Sequence, residues 1–228
     1  AQVADTILLL ARTTPVERCR SPADGISLFY TRLDRTRASV REIEKMGRKA
    51  VDSNEIFFED FEVPVEDRIG DEGQGFRLIL HGLNPERVLI AAEAVGIGRA
   101  ALRRAADYAR ERVVFGRPIG QNQGVQFPIA EAFIEVEAAN LMRFEACRLY
   151  DAGQPCGAQA NMAKLLAADA SWEAANACLQ TFGGFGFARE YDIERKFRET
   201  RLYQVAPIST NLVLSYLGEH VLGMPRSY

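Results

Sequence analysis

The sequence predicts an α+β fold, in which a partial antiparallel β-domain precedes an antiparallel four-helix bundle. Two observations lead to this prediction. Short segments of strand character fill residues 1–74, and long segments with the helical spacing of apolar residues fill residues 75–228. Between the two patterns lies GDEGQGF, a stretch with three glycines that interrupts both. We therefore predict a β-domain at 1–74 and a helical domain at 75–228.

Three segments of the first part have strand character. DTILLLART is a short apolar run, GISLFYTRLD alternates between apolar and polar residues, and NEIFFEDFEVP alternates less cleanly before it stops at a proline. The intervening segments are a loop-like stretch at 13–25 and a charged stretch at 35–49, neither of which shows a strand pattern. The β-domain is therefore predicted from three strands alone.

Four segments of the second part are predicted helices, at 87–115, 125–153, 158–182 and 209–223. The second ends at a glycine followed by a proline, and the third ends at a pair of glycines. The first has a broad apolar face formed by Ile90, Ala91, Ala94, Val95, Ile97, Gly98, Ala101, Leu102 and Ala105. Long helices joined by short connections favour an antiparallel bundle.

The composition argues against several classes of function. A net charge of -3 leaves no basic excess for nucleic-acid binding, and no apolar run reaches the roughly 20 residues of a membrane span. We therefore expect no nucleic-acid partner, no membrane span and a reduced, cytoplasmic location. No metal site is predicted, because the chain has two histidines and four cysteines without CxxC spacing: His81, His220, Cys19, Cys147, Cys156 and Cys178. Since the chain begins with Ala1, we interpret it as part of a longer or processed protein, and a targeting segment would lie outside it.

Four segments of the helical part contain candidate functional residues. In LNPERVLIA, Asn84, Glu86 and Arg87 place an acid beside a base at the head of an apolar helix. Taken alone, this arrangement is typical of a solvated helix end. The fourth segment, RLYQVAPISTNLVL, contains Pro207 just before a predicted helix. A proline suits the approach to a helix, where Ser209 or Thr210 can act as the N-cap.

The second segment, RERVVFGRPIGQNQGVQF, is a glycine-containing connection between two helices. Its glycines allow a ligand to approach the backbone, and the following helix N-terminus favours an anion. Arg112 could bind phosphate oxygens with its planar guanidinium. The segment is therefore consistent with a phosphate-bearing cofactor, or equally with an interhelical loop that carries surface arginines.

The third segment, QTFGGFGFAREYDIERKFRET, contains Gly183, Gly184 and Gly186 directly after a predicted helix. Bare backbone at these positions could contact a ligand, and a helix C-cap followed by a turn is the alternative. The glycines do not indicate a Rossmann motif, because no strand precedes them.

Taken in this order and spacing, the segments resemble the acyl-CoA dehydrogenase family. The resemblance depends on RxxFGxxI…Q combined with QxFGGxGF…E…R.FR[DE], a highly specific pair of motifs. Residues 76–228 resemble the family's C-terminal helical domain nearly end to end. KMGRKAVDSNEIFFEDFEVPVEDRIGDEGQGF is similar to the end of its middle β-domain. The family's N-terminal helical domain and its flavin-side strand would lie outside this chain.

The resemblance implies an FAD enzyme of fatty acid metabolism and β-oxidation. Its substrate would be an acyl-CoA thioester, its product the trans-2-enoyl-CoA, and its electron acceptor an electron-transferring flavoprotein. It also implies a homotetramer or homodimer. As a fragment, the chain by itself is expected to be inactive and not to retain FAD. The alternatives are a non-catalytic structural or partner subunit of the same family, and a same-fold acyl-CoA oxidase or flavin monooxygenase.

The resemblance also implies roles for individual residues. Most family members carry the catalytic base in Y-E-G-T, where this chain has Pro207 in place of the glutamate. A minority, including the isovaleryl and long-chain types, carry the base on an earlier helix just before an arginine, as Glu86 precedes Arg87 here. Glu86 is therefore the candidate base, and Asn84 and Arg87 would face the acyl-CoA. Pro207 also lacks the backbone N–H that the family directs at the thioester carbonyl.

The residues that would contact FAD form two groups. One group would contact FAD held mainly by a neighbouring subunit: Arg112, Phe115, Gln123, Gln180, Thr181, Phe182, Gly183 and Gly184. The other would contact the FAD of its own subunit: Ser209, Thr210 and Asn211.

Overall fold

The structure, a computed structural model, describes residues 1–226 and consists of two compact units. The division falls between Leu83 and Asn84. Small antiparallel sheets occupy the first unit and long helices the second, so the predicted α+β class is confirmed. The first helix begins at Gly75, next to the predicted domain boundary, and the boundary itself stays a prediction.

The first unit contains two antiparallel sheets. Strand β1 (Thr6–Arg12) pairs with β2 (Ile26–Arg32), and the short β5 (Arg68–Ile69) pairs with the other edge of β2. Strand β3 (Ala38–Ile43) forms a separate two-stranded sheet with β4 (Ser53–Phe58). The three predicted strands therefore correspond to β1, β2 and β4.

Strand β3 lies inside the charged stretch at 35–49 that showed no strand pattern. Only Ala38 is buried in this strand, and most of its other side chains are exposed. The strand is held by backbone pairing with β4, in a register that places Val40 opposite Ile56. Because few of its side chains are buried, the sequence shows little of the alternation from which a strand is predicted.

Five α-helices follow in the described part of the chain, up to residue 226. Their bounds are α1 Gly75–Glu111, α2 Gln123–Asp151, α3 Gly157–Phe182, α4 Ile193–Val205 and α5 Thr210–Tyr216, and α5 continues into a π-helical turn at Leu217–Val221. The connection between α1 and α2 contains a small hairpin, in which β6 (Val113–Val114) pairs with β7 (Arg117–Pro118). The predicted glycines lie at the ends of these two helices: Gly153 follows the C-cap residue Ala152 of α2, Gly183 is the C-cap of α3, and both have positive φ.

The core of the second unit is rich in alanine. On α1, the predicted face is confirmed, since Ala91, Ala94 and Ala101 are fully buried. Small side chains let the helix backbones approach closely. At Gly98, a Cβ atom would lie 2.9 Å from a methyl carbon of Val136 on α2, so a larger residue there would force the two helices or the valine to shift.

Helix α4 was not predicted, because YDIERKFRET was interpreted only as a charged run. Its charges pair along the helix: Arg195 binds Asp192 three residues away, and Arg198 binds Glu194 four residues away. The buried side chains of this helix include Ile193 and Tyr203, and they form a narrow stripe. The other ten residues are mostly polar, so the helical spacing of apolar residues is hard to see in the sequence.

The start of the first helix was also predicted wrongly. Helix α1 begins twelve residues before Arg87, at Gly75, and Pro85 lies within it. Asn84, Glu86 and Arg87 are therefore inside a long helix and not at its head. A proline usually marks a helix boundary, which is why the sequence suggested a later start.

Among residues 1–226, no helix has the length and apolar character needed to cross a membrane. The same part of the chain contains no cluster of three or more His, Cys, Asp or Glu side chains that could hold a metal ion.

Candidate active site

A cleft of about 430 Å³ lies where the ends of α1 and α3 meet. Arg112, the residue that follows α1, lines it from one side. The end of α3 and the turn after it line the other side with Thr181, Phe182, Gly183 and Gly184. The structure thus brings together five of the residues predicted to contact FAD.

Aromatic side chains form the walls of this cleft. Tyr108 of α1 stacks on Phe182 of α3, with ring centroids 4.0 Å apart and an angle of 15° between the planes. The guanidinium of Arg112 lies over the ring of Phe185, 5.4 Å from its centroid. Sequence reasoning missed Tyr108 and Phe185, although a tyrosine one turn before Arg112 was a signal that could have been used.

The glycines at the end of α3 leave their backbone open. Gly183 has φ +57°, and no atom lies within 4 Å of where a Cβ would stand at Gly183 or Gly184. A cleft with a guanidinium, aromatic rings and accessible backbone is suited to a ligand that combines phosphate groups with a planar ring system. The residues present therefore fit a dinucleotide such as FAD.

The hairpin between α1 and α2 presents Phe115 at its tip. Phe115 and Gly116 have φ of 55° and 78°, the positive values that a tight two-residue hairpin turn requires. The Phe115 side chain is 100% exposed. A bulky residue in this backbone conformation is unfavourable, so neither local folding nor burial within this chain explains the phenylalanine.

Besides Phe115, two residues predicted to contact the neighbouring subunit's FAD, Gln123 and Gln180, do not line this cleft. Gln180 lines a second cleft of about 420 Å³, together with Glu131 and Glu135 of α2 and Glu173 of α3. Consecutive residues of a helix point in directions about 100° apart, which separates Gln180 from Thr181. Gln123 is exposed at the first residue of α2.

A second polar group is built around Arg87 on α1. Nη1 of Arg87 donates a hydrogen bond to Oδ1 of Asn84 at 2.8 Å, while its buried Nε has no hydrogen-bond partner among the described residues. Burial lowers the pKa of Arg87, and the nearby Tyr216 and Glu86 oppose this shift. The side chain of Glu86 is exposed.

The connection between α4 and α5 lies beside this group and contains Pro207. The Ala206–Pro207 peptide bond is cis. Ser209 is the N-cap of α5, because its side chain accepts a hydrogen bond from the Leu212 N–H at 3.4 Å, as predicted. The Thr210 hydroxyl donates to the carbonyl of Gln204 at 3.3 Å. The segment thus joins the two helices with its polar groups largely satisfied.

Sequence reasoning missed a buried lysine on α3. Lys164 is 0% exposed, and its Nζ donates a hydrogen bond to the carbonyl oxygen of Ile208 at 2.6 Å. Burial lowers its pKa to about 8; Asp169 opposes this shift and Arg87 reinforces it. The signal was a single lysine within an alanine-rich helix, four residues from the buried Ala160 and Ala168 on the same face.

The first cleft and the Lys164 region lie at opposite ends of α3. Eighteen residues separate Lys164 from Phe182 on this helix, which corresponds to about 27 Å. The two groups predicted to contact FAD are therefore well separated. Arg112 lies near the C-terminal end of α3, and Ser209 follows Ile208, the residue bound by Lys164 in the N-terminal half of α3. This arrangement suits contacts with two different ligand molecules.

Comparison with known proteins assigns the family. The family described as "Acyl-CoA dehydrogenase, C-terminal domain" matches residues 73–219. The chain belongs to the acyl-CoA dehydrogenase family. This confirms the resemblance on which the site residues were chosen, while the individual roles of those residues stay predictions.

Individual known proteins are similar over much of the chain. FadE12 of Mycobacterium tuberculosis, named an acyl-CoA dehydrogenase, is 44% identical over 176 residues, which cover 76% of this chain and 45% of that protein. A solved structure of glutaryl-coenzyme A dehydrogenase with glutaryl-CoA is 30% identical, with a TM-score of 0.91, and covers 99% of this chain. The FAD complex of PigA is 27% identical, with a TM-score of 0.90, and covers 98%. The chain spans 57% of each of these two structures, so it corresponds to about half of its relatives.

Proposed function

We propose that the full-length protein is an FAD-dependent acyl-CoA dehydrogenase that converts an acyl-CoA thioester into the trans-2-enoyl-CoA and passes the electrons to an electron-transferring flavoprotein. One observation carries the proposal: in a chain of this family, an exposed carboxylate, Glu86, stands beside the half-buried pair of Arg87 and Asn84 on α1. Activity, substrate and partners are proposed for the whole protein, of which this chain is about half by length.

The proton transfer falls to Glu86. Its carboxylate removes the α-proton of the thioester, and the electron pair of that C–H bond becomes the new double bond as the β-hydrogen leaves as hydride. When bound, FAD supplies the acceptor of this hydride. A carboxylate covered by apolar ligand atoms is a stronger base than one in water, so the exposed position of Glu86 suits activation by the substrate itself.

The other polar residues of α1 are proposed to hold the acyl-CoA. Arg87 has a buried Nε–H that finds no acceptor among residues 1–226, although its Nη1 is fixed by Asn84. A buried donor without a partner is unfavourable unless a ligand supplies the acceptor. The carbonyl groups of an acyl-CoA provide suitable acceptors.

Two sets of residues are proposed to contact FAD. Arg112 and the residues from Thr181 to Gly184 line the first cleft. Phe115, Gln123 and Gln180 lie outside this cleft and would contact other parts of the same FAD. Ser209, Thr210 and Asn211 would contact a second FAD at the start of α5. The separation of about 27 Å along α3 supports two FAD molecules, one held mainly by a neighbouring copy. The chain of 228 residues by itself is still expected not to retain FAD.

We also propose a homodimer or homotetramer in which the helical part contacts a second copy. Helix α2 exposes a series of large apolar side chains: Phe127, Phe133, Ile134, Leu141 and Phe144. An apolar groove of about 670 Å³ lies beside them, lined in part by Leu102 and Ile129. Apolar surface of this extent is typical of an interface. In light scattering of the full-length protein with FAD, Leu141→Glu should reduce the mass, and a monomeric wild-type protein would contradict the proposal.

The test of the catalytic proposal is anaerobic reduction of the bound flavin by acyl-CoA thioesters. In the full-length protein, Glu86→Gln should retain FAD and bind acyl-CoA, while the rate of flavin bleaching falls by roughly a hundredfold or more. The control is Glu145→Gln, because Glu145 is an exposed helical carboxylate that pairs with Arg148 on the same helix. This variant should bleach at the wild-type rate.

Each other outcome points to a different function. A near-normal rate of flavin bleaching in Glu86→Gln would show that another residue is the catalytic base. A wild-type protein that binds FAD but is bleached by none of a series of straight and branched acyl-CoA thioesters would indicate the non-catalytic subunit. Rapid reoxidation by oxygen during turnover would indicate an oxidase or a monooxygenase.

A further inference from the structure

Lys164 is a buried cation without a matching anion. It is fully enclosed, and the part of the chain that the structure describes contains no carboxylate in ion-pair contact with it. The nearest charges have opposite effects, since Asp169 stabilises the ammonium group and Arg87 destabilises it. Burial of a charge in such surroundings is costly, and replacement by an apolar residue of similar size often stabilises a protein. Core packing alone therefore does not account for a lysine at this position.

Within residues 1–226, Lys164 finds its one hydrogen-bond acceptor in the connection between α4 and α5. Nζ donates to the carbonyl oxygen of Ile208 at 2.6 Å, a short, charge-assisted hydrogen bond. Ile208 stands between Pro207 and the N-cap residue Ser209. The bond thus fixes the residue that joins the proline to the N-cap.

A second bond from the same helix fixes the other end of the connection. Oδ1 of Asp169 accepts a hydrogen bond from Nε2 of Gln204 at 3.1 Å. Gln204 lies in the last turn of α4, and its carbonyl also accepts the hydroxyl of Thr210. Helix α3 therefore holds the segment 204–210 from both ends, with Lys164 as the buried contact.

We propose that Lys164 is a positioning residue for the reaction, which holds the backbone from Pro207 to Ser209 in place through the carbonyl of Ile208. The inference rests on the proposed function, in which this segment lies beside the thioester and the flavin. The ammonium group also polarises the peptide unit between Ile208 and Ser209, so the N–H of Ser209 becomes a stronger donor. An enolate that forms nearby would benefit from such a donor in a chain where Pro207 offers none.

The test replaces Lys164 and measures both backbone protection and catalysis in the full-length protein with FAD. Lys164→Met keeps the length of the side chain and removes the donor, whereas Lys164→Gln keeps a neutral donor. The matched control is Ser171→Ala, which removes a buried hydrogen bond to the Ala168 carbonyl on the same helix. Hydrogen–deuterium exchange measures how firmly the backbone of the segment is held, and the rate of anaerobic flavin reduction measures whether this matters for catalysis.

We expect exchange of the amides at 208–213 to accelerate at least tenfold in Lys164→Met, less in Lys164→Gln, and not at all in Ser171→Ala. The limiting rate of flavin reduction should fall about tenfold or more in Lys164→Met, with FAD content unchanged and partial recovery in Lys164→Gln. If Lys164→Met does not fold, the comparison of Lys164→Gln with Ser171→Ala decides the matter.

Two results would overturn the proposal. Unchanged exchange at 208–213 would show that Lys164 does not hold the segment. Accelerated exchange with a wild-type rate of flavin reduction would show that the held segment does not serve the reaction. If no acyl-CoA bleaches even the wild-type flavin, the proposed function fails and the positioning role in catalysis fails with it, while the exchange data still show whether Lys164 holds the segment.

Discussion

The guanidinium carbon of Arg112 lies 5.4 Å from the centroid of the Phe185 ring. This contact joins the residue that follows α1 to the turn that follows α3, and it holds the cation at the edge of the first cleft. The backbone N–H of Arg112 also donates to the carbonyl of Tyr108 at 2.8 Å, so both the main chain and the side chain of Arg112 are fixed. The cation is thus ordered for a ligand before one binds.

Replacement of Arg112 should weaken FAD binding. A hydrogen bond to a charged group contributes on the order of 1.5–3 kcal/mol, so Arg112→Gln should raise the Kd for FAD by about tenfold to a hundredfold. Arg112→Lys should recover little, because lysine has no planar guanidinium to stack on Phe185. The measurement is titration of the full-length apoprotein with FAD. Arg110→Gln is the control, since exposed Arg110 pairs with Asp107; equal weakening by both variants would contradict the assignment.

The turn residue Phe115 should be replaceable without loss of stability. Asparagine adopts positive φ more readily than phenylalanine, so Phe115→Asn should leave the Tm unchanged or raise it. The same variant should bind FAD more weakly, because the proposed contact with a neighbouring copy is lost. Phe187→Asn, a similar change at an exposed residue without positive φ, serves as the control. An unchanged Kd for FAD in Phe115→Asn would show that the Phe115 ring does not contact FAD.

Two buried groups should give the free energy of unfolding opposite dependences on pH. The pKa of Lys164 is lowered from 10.5 to about 8, so the unfolded chain binds more protons between these values. The free energy of unfolding should therefore rise with pH from about 8, by on the order of 1 kcal/mol per pH unit. Burial raises the pKa of the Cys178 thiol from 9.0 to about 11. Its contribution should be present below pH 9 and fall as the pH rises from 9 to 11.

Urea unfolding of the full-length wild type and of Lys164→Met between pH 7.5 and 9 isolates the lysine, because Cys178 contributes equally to both proteins. The difference in free energy of unfolding between wild type and Lys164→Met should change by about 1 kcal/mol over this range, in favour of the wild type at higher pH. A constant difference would show that Lys164 titrates normally. Above pH 9, the free energy of unfolding should fall less steeply with pH in Cys178→Ala than in the wild type.

The double variant Glu86→Gln with Pro207→Glu tests whether the base can change position. It places a carboxylate, and a backbone N–H, where most of the family carries its base. Flavin reduction should recover partially relative to Glu86→Gln alone. Pro207→Glu by itself should not add activity, because two carboxylates around one α-carbon repel each other and one becomes harder to ionise. No recovery in a folded double variant with FAD bound would indicate that Pro207 does not lie over the substrate.

Local spacing in the sequence was enough to predict the helical core, two helix ends and one cap. The spacing of Ala91, Ala94 and Ala101 predicted a buried face, and glycines at 153 and 183 predicted where helices end. Ser209 was predicted as a possible N-cap and is one. These features depend on residues within one or two turns of each other, so local spacing is sufficient to find them.

The tertiary structure decided what depends on partners distant in the chain. Strand β3 forms because β4 pairs with it, and α4 because its narrow apolar stripe packs on α3 while its charges pair along the exposed side. Gln180 was grouped with Thr181 in the sequence, but the helix turns it into another cleft. The hydrogen bond of Lys164 goes to Ile208, 44 residues away. Sequence spacing fixes the face on which a side chain lies, whereas burial, pKa and hydrogen-bond partners depend on what the rest of the fold places against that face.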